Sequence, residues 1–274
     1  MPATFSHPAA ILPLRRWAPR WLDTTGLVIG SMAPDLGYFL LLFDGASKAH
    51  EPAGLLLLTL PSGLVVWGLL QLAWPTLSRV LPPAHAAFLT GALLHQGPVG
   101  AAKFGRLALS VLLGGATHLL WDSFTHKQSW FVEALPALRT PIPLAFGFEA
   151  PGYYLLQHSC SLLGLVALVI AYRRAMAQVP ALPMTRPAHW RPLLVLAGAA
   201  MLLGCAGALP VAADYEGSRA VRNFAFRSVV HSLALGLLFA WLRGMQLTRR
   251  ERLTRAESNG SAGLRSVDPN REAR

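Results

Sequence analysis

The chain has 274 residues, of which 53% are hydrophobic and only 14% are charged, and its formal net charge is +11. Charged residues make up about a quarter of a typical soluble domain, and disorder requires low hydrophobicity together with a high density of charge. The composition therefore excludes a mostly disordered chain, argues against a water-soluble globule and predicts an integral membrane protein.

The apolar runs predict an all-α fold, a polytopic bundle of transmembrane helices. A helix needs about 20 apolar residues to cross a bilayer. Five runs approach this length, namely 54–74, 107–121, 153–172, 193–213 and 228–242. We therefore expect five crossings, with the lipid bilayer as the principal partner of the chain.

Two further apolar runs are ambiguous. Run 27–43 is interrupted by Pro34 and Asp35, and run 84–102 carries two histidines together with Gly97 and Pro98. Non-helical backbone is tolerated at membrane depth only where protein or water covers it. We expect run 27–43 to belong to an irregular, partly re-entrant N-terminal region.

Two polar stretches complete the organisation of the chain. Residues 127–151 contain several prolines and predict a long loop between two helices. Residues 243–274 are rich in Arg, Glu, Ser, Gly and Asn, which is typical of a solvated, disordered tail. We therefore divide the chain into a helical membrane domain, 1–242, and a basic polar tail, 243–274.

The basic balance does not indicate a nucleic-acid partner. Most of the basic residues are arginines, which lie between the apolar runs and then gather near the C-terminus. This distribution is typical of membrane topology rather than of a stripe that binds phosphates. Cys160 and Cys205 both lie inside apolar runs, which argues against a disulfide framework and against a cysteine zinc site.

The most informative motif ends the second run and reads Thr-His-Leu-Leu-Trp-Asp-Ser-Phe-Thr-His, residues 117–126. Ionisable residues inside apolar segments are costly and are therefore functional candidates. His118, Asp122 and His126 are spaced i, i+4 and i+8, so they share one stripe of a helix. Imidazole nitrogen and carboxylate oxygen are ligands of zinc. The spacing thus predicts a site for a divalent metal, zinc by preference.

Other interpretations of these residues stay open. Asp122 could instead accept a hydrogen bond that orients one imidazole, or the polar residues could clamp helices together in the membrane. Pro34 and Asp35 could mark only a helix N-terminus. A single histidine on an apolar face is more often a core residue than a ligand, and we assign four histidines to that class: His85, His95, His189 and His231.

The same motifs resemble those of the DUF4184 family of bacterial membrane proteins. The resemblance covers Thr4–Ala10, Ile29–Asp35, His50, Gly115–His126 and Leu156–His158. More distantly, the chain is similar to membrane-bound predicted metal-dependent hydrolases of the DUF457 type, which share an N-terminal His, a Pro-Asp and a later His-x-x-x-Asp.

The resemblance implies a metal site built from His7, Asp35, His50, His118 and Asp122, with His126 and His158 as additional candidates. In a metal-dependent hydrolase, Asp35 or Asp122 would be a catalytic residue, as a ligand or as a general base, because a carboxylate within reach of metal-bound water can take its proton. The hydrolase-type families usually have Pro-Asp-x-Asp, whereas here Leu36 and Gly37 follow Pro34-Asp35. A second carboxylate is therefore missing, which argues against a two-metal site.

A shared site constrains the topology. His50 precedes run 54–74 and His118 lies near the end of run 107–121, so both reach one face only if run 84–102 does not cross fully or the site lies deep in the bundle. With five crossings, most basic residues lie on the side of the tail. The positive-inside rule then places the tail in the cytoplasm and the site outside. Arg15, Arg16 and Arg20 oppose this orientation, and a cytoplasmic or mid-membrane site stays an alternative.

Two functions follow from these observations. The first is a metal-dependent hydrolase in the bacterial cytoplasmic membrane that acts on a lipid-like or phosphoester substrate. The second is a non-enzymatic membrane protein, a small transporter or a scaffold, with a polar His/Asp core of the kind that forms proton relays.

Overall fold

The computed structural model describes residues 4–17, 21–40, 42–93, 100–145, 148–179 and 190–265. Almost all regular structure in these residues is helical, as the composition predicts. His95 and His189, two of the histidines assigned to the core, lie outside the described residues. The chain forms two compact units, residues 1–72 with 91–180 and residues 73–90 with 181–274.

The first unit begins with short elements rather than with a membrane span. A 3-10 helix, Thr4–Ile11, leads into α1, and a single 3-10 turn, Ala33–Asp35, follows α2. Pro34 fits in the first positions of that turn because a proline needs no backbone donor at the start of a helix. The short helices of this region are α1 Leu12–Trp17, α2 Thr24–Gly30, α3 Leu36–Phe39, α4 Phe43–Ala49 and α5 Pro52–Gly54. The irregular region expected around run 27–43 is therefore present.

The rest of the chain contains long helices separated by short ones. A π-helical turn, Leu55–Thr59, joins α5 to α6 at Leu60–Leu77, and a 3-10 turn, Ser78–Val80, ends this segment. The remaining helices of the chain are α7 Pro83–Leu93, α8 Ala101–Thr125, α9 Trp130–Ala134, α10 Pro136–Arg139, α11 Gly152–Met176, α12 Trp190–Ala212 and α13 Gly217–Arg265.

Five helical segments of the described residues are long and apolar enough to cross a membrane, and this number confirms the prediction. They are Pro52–Val80, Ala101–Ala134, Gly152–Met176, Arg191–Pro210 and Arg219–Thr254. Their outward faces are apolar, with side chains such as Leu72, Leu163 and Leu202 mostly exposed. Helix α7 has 11 residues and is about 16 Å long. It is about half as long as a bilayer core is thick, and residues 94–99 of run 84–102 lie outside the described residues.

Glycines bring α2 against α8, and this contact positions the site. A Cβ atom at Gly114 would clash with the carbonyl oxygen of Leu27 and would lie 2.7 Å from the amide nitrogen of Ser31. Across the same interface, a Cβ at Gly30 would clash with the backbone of Val111. Small residues at such positions let helix backbones approach closely in a membrane. The close approach carries the end of α2, with Ser31, onto the part of α8 that holds His118.

The described residues between 127 and 151 contain regular structure rather than only a long loop. They contain α9, α10 and a small antiparallel hairpin, in which β1 (Pro141–Pro143) pairs with β2 (Glu149–Pro151). Phe131 of α9 stacks on Phe124 of α8, with ring centroids 4.0 Å apart. This contact holds α9 at the end of α8.

The second unit contains α12 and α13, which pack along each other. Within this unit, Arg79 forms an ion pair with Glu251. Residues 243–265 of the basic polar tail continue α13. Arg, Glu, Ala and Leu have high helix propensity, so a preceding helical span can extend through them. Residues 266–274 lie outside the described residues.

Candidate metal centre

Helix α8 supplies two side chains at the centre of the site. His118 is fully buried and Asp122, one turn later, is 8% exposed. Nε2 of His118 lies 3.3 Å from Oδ2 of Asp122. Nδ1 of His118 donates a hydrogen bond of 2.8 Å to the carbonyl of Ser31, the residue that the α2–α8 contact brings close. Because Nδ1 carries the proton for this bond, Nε2 is the nitrogen that faces the cluster.

His50 enters from the end of α4, just before the first membrane span. Its Nδ1 donates a hydrogen bond of 2.7 Å to the carbonyl of Ala46. Its Nε2 points to the cluster, 3.2 Å from Nε2 of His118. The same atom lies 3.3 Å from Oδ1 of Asp35 and 3.5 Å from Oδ2 of Asp122. The start of the span approaches this helix at Gly54, where a Cβ would clash with the carbonyl oxygen of Lys48.

Asp35 ends the 3-10 turn after α2 and is 3% exposed. Its Oδ2 accepts a hydrogen bond of 2.6 Å from the buried hydroxyl of Thr4. Its Oδ1 lies 3.7 Å from Nε2 of His118. One carboxylate oxygen is thus held by the N-terminal 3-10 helix, and the other faces the imidazoles.

His7 lies on the N-terminal 3-10 helix, which packs between α8 and α11. The side chain is fully buried, and its ring stacks on that of His118 with a centroid distance of 3.8 Å. Nε2 of His7 is 3.6 Å from Oδ1 of Asp122. Within the described residues, neither ring nitrogen of His7 nor Oδ1 of Asp122 has a hydrogen-bond partner. Buried polar atoms without partners are costly, and a cation among these atoms would compensate for the cost.

The two additional candidates, His126 and His158, differ in their distance from the cluster. His126 lies at the rim, 38% exposed, with Nδ1 3.4 Å from Oδ1 of Asp122. His158 is exposed on α11, where its ring meets that of Tyr154 at 4.4 Å. The structure brings His7, Asp35, His50, His118 and Asp122 together with His126 beside them. It does not bring His158 into the cluster.

The separations between donor atoms suit a single small cation. Ligand atoms about 2.1 Å from one ion at tetrahedral angles lie about 3.4 Å from each other. The closest contacts between nitrogens and oxygens of the cluster are 3.2 to 3.7 Å long. In two sets of three residues, all donor atoms lie within 4.8 Å of one another: His7 with Asp35 and His118, and His50 with His118 and Asp122. The donor chemistry and spacing therefore fit a divalent metal.

In the metal-free cluster, the surroundings shift the pKa values of His7 and His50 in opposite directions. Burial, reinforced by the nearby His118, lowers the pKa of His7 to about 4. Burial also opposes charge on His50, but hydrogen bonds to Asp122 and Asp35 outweigh it and raise the pKa of His50 to about 10. Although burial favours the neutral acid, the hydrogen bond from His50 and the charge of His118 lower the pKa of Asp35. Without metal, the cluster is held by a His50 imidazolium between two carboxylates.

A cavity of about 950 Å³ opens beside the cluster. Asp35, His50 and Asp122 line it, together with residues that follow α8. His7 and His118 are not among its lining residues. The cluster therefore has an inner side closed by protein and an outer side that small molecules can reach.

Taken together, these features define an integral membrane protein with a buried His/Asp cluster near the end of a membrane helix. The sequence profile of DUF4184, a domain of unknown function, matches residues 1–242, and the chain belongs to this family. Comparison with curated proteins and with solved structures gives no significant match. The more distant resemblance to DUF457-type hydrolases stays a prediction.

Sequence reasoning missed the residues that orient the ligands. Thr4 holds Asp35, and the carbonyls of Ser31 and Ala46 fix the two facing imidazoles. Thr4 and Ser31 flank the motif residues His7 and Asp35, which is the only signal of their role in the sequence. No side-chain pattern marks Ala46, because its contribution is a backbone carbonyl.

Proposed function

We propose that this protein is a membrane-bound metal-dependent hydrolase whose His/Asp cluster holds one divalent cation, zinc by donor type, and that it cleaves a phosphoester or lipid-like substrate. The observation that carries the proposal is the convergence of imidazole nitrogens and carboxylate oxygens at 3.2–3.7 Å. These donors come from four separate stretches of chain and meet beside an open cavity.

The number of metal ions that the cluster can hold is limited by His118. The two possible ligand sets both contain this residue. Its Nδ1 is committed to the carbonyl of Ser31, so only Nε2 can bind a metal. One nitrogen lone pair serves one cation, and the cluster therefore holds a single ion. The Leu and Gly that replace the second carboxylate after Pro34-Asp35 favour the same conclusion.

Access to substrate favours one ligand set over the other. His50 and Asp122 line the cavity, whereas His7 lies on the closed side. We assign His50, His118 and Asp122 as the ligands. His7 stacks on His118 and supports the cluster from behind. His126, at the rim beside Asp122, is placed to contact a bound substrate.

Asp35 is the general base in this scheme. It lines the cavity, and Thr4 fixes one of its oxygens while the other faces the imidazoles, which leaves a carboxylate oxygen to accept a proton. A zinc ion held by these residues would lower the pKa of water to about 7 and polarise a phosphoryl oxygen. In the reaction, water attacks phosphorus, Asp35 accepts a proton from that water, and the ester P–O bond breaks. Asp35 then gives this proton to the leaving alkoxide, which becomes an alcohol.

Paired measurements of metal content and hydrolysis test the proposal. Purified wild-type protein should contain about one zinc per chain and should hydrolyse p-nitrophenyl phosphate esters. His118→Ala and Asp122→Asn should lose the metal and the activity, whereas Asp35→Asn should keep the metal and lose the activity. His158→Ala is the matched control and should retain both.

Other results would contradict the proposal. Wild-type protein without bound metal would refute the metal centre, as would unchanged metal content in both His118→Ala and Asp122→Asn. Proton-coupled flux in vesicles that persists after chelation would instead support the non-enzymatic transporter.

A further inference from the structure

The cavity beside the cluster extends well past the ligands. Its outer part is lined by Lys127, by Trp130 of α9 and by Leu119 and Leu120 of α8. None of these residues takes part in the reaction scheme above. Its volume of about 950 Å³ lies within the range of sites that enclose a whole small ligand.

The charged residues that line this cavity indicate which class of ligand it binds. Asp35 and Asp122 contribute two negative charges to the lining, and a divalent cation in the cluster would balance them. Lys127 is then the remaining formal charge among the described residues that line the cavity. A cavity with a metal at one side and an ammonium group at another suits an anion with several oxygen acceptors, such as a phosphate group.

Part of the cavity wall is apolar. Leu120 is 57% exposed and Trp130 is 65% exposed, although both belong to the cavity lining. Pro52, at the start of the first span, lines the same cavity. The wall thus lies where membrane helices end, and it leaves room for an alkyl group next to the anion site.

We infer that this cavity binds an alkyl phosphate, with Lys127 as the residue that selects the phosphate-type anion and Trp130 packing against the alkyl chain. The inference rests on the proposed function, because the cluster supplies the second contact to the anion. A membrane lipid and a soluble phosphate ester share this chemistry. They differ in whether binding improves as the alkyl chain grows.

The probes are methylphosphonate and butylphosphonate, which keep the anion but contain a C–P bond that hydrolysis of an ester does not cleave. Binding to the zinc-loaded full chain is measured by calorimetry. Lys127→Gln should weaken both probes about tenfold, as expected for loss of one charge-assisted hydrogen bond. Lys48→Gln removes an exposed lysine outside the cavity lining and should bind as the wild type does.

Chain length gives the second measurement. Each buried methylene contributes about 0.8 kcal/mol, so three additional methylenes should tighten binding up to about 50-fold in the wild type. Trp130→Ala should reduce this ratio and leave the affinity for methylphosphonate unchanged. Trp17→Ala removes a tryptophan that is 77% exposed and lies outside the cavity lining, and it should preserve the ratio.

Each measurement tests one part of the inference. Equal affinities of Lys127→Gln and Lys48→Gln would overturn the role of Lys127. A wild-type ratio close to one would overturn the alkyl site and favour a soluble ester. Zinc content, measured on the same samples, separates the two proposals. Loaded protein without this selectivity refutes the present inference alone, whereas protein that binds no zinc refutes the metal centre and this inference with it.

Discussion

His50 and His118 face each other through their Nε2 atoms at 3.2 Å, and a backbone carbonyl holds the Nδ1 proton of each ring. Two neutral rings in these tautomers would direct lone pairs at each other. A proton or a cation between them removes this repulsion. The arrangement of the two rings therefore favours a positive charge between them, which the negative charges of Asp35 and Asp122 balance.

Metal binding should release a proton. Because the pKa of His50 is raised to about 10 in the metal-free cluster, its imidazole is charged at neutral pH. A metal ligand must be neutral, so binding displaces about one proton from His50. Calorimetric titration with zinc in two buffers of different ionisation enthalpy measures this number. Enthalpies that do not depend on the buffer would contradict the assignment of His50 as a ligand.

Loss of the Thr4 hydroxyl should loosen the site without unfolding the protein. Thr4→Val keeps the shape of the side chain but removes the hydrogen bond to Oδ2 of Asp35. Groups that orient residues of a metal site typically contribute about 10- to 100-fold in affinity or activity. We expect hydrolysis to fall by about this factor, with recovery in Thr4→Ser. Full activity in Thr4→Val would show that Asp35 does not need this partner.

Gly114→Ala should disrupt the helix contact beneath the cluster. The added methyl group would clash with the carbonyl oxygen of Leu27 and press on Ser31. Overpacking of this kind costs about 1–3 kcal/mol, and displacement of Ser31 frees the His118 ring. We expect a lower melting temperature in detergent together with weaker metal binding.

The matched control for this change is Gly105→Ala. It lies on the same helix, and an added Cβ there has no described atom within 4 Å. We expect it to retain stability and metal content. Equal behaviour of the two variants would mean that the α2–α8 contact does not position His118.

Membrane orientation can be measured with reporters at the C-terminus. Within the second unit, Arg79 pairs with Glu251, so the ends of the first and fifth candidate spans meet. The arginines near this end predict a cytoplasmic location. A fused green fluorescent protein should therefore fluoresce, and a fused alkaline phosphatase should be inactive. An active phosphatase fusion would reverse the predicted orientation.

The sequence was sufficient for the spans and for most of the cluster, for two physical reasons. Apolar runs of sufficient length report membrane helices directly, and an ionisable residue inside such a run is rare enough to be noticed. His118 and Asp122 were predicted from helical spacing alone. The contributions of His7, Asp35 and His50 depended on resemblance, because no local pattern joins residues so far apart in the chain.

The features that were missed depend on tertiary packing or on the backbone. The carbonyls of Ser31 and Ala46 belong to the backbone, so residue type does not reveal their role. The ring of His158 contacts Tyr154 on α11 and not the cluster, which the sequence motif alone does not reveal. The polar stretch after residue 242 is helical as far as residue 265, although its composition is typical of disorder. There, continuation of a helix that is already nucleated outweighs composition, because extending a helix costs less than starting one.

The N-terminal 3-10 helix has a consequence for how the protein is made. It carries Thr4 and His7, yet it packs on α8 and α11, where a Cβ at Gly164 would lie 3.1 Å from the carbonyl oxygen of Ser6. These first residues leave the ribosome long before α11 is synthesised. The N-terminal 3-10 helix therefore completes its packing only once α11 has been synthesised, well after the cluster residues of α8 have been made.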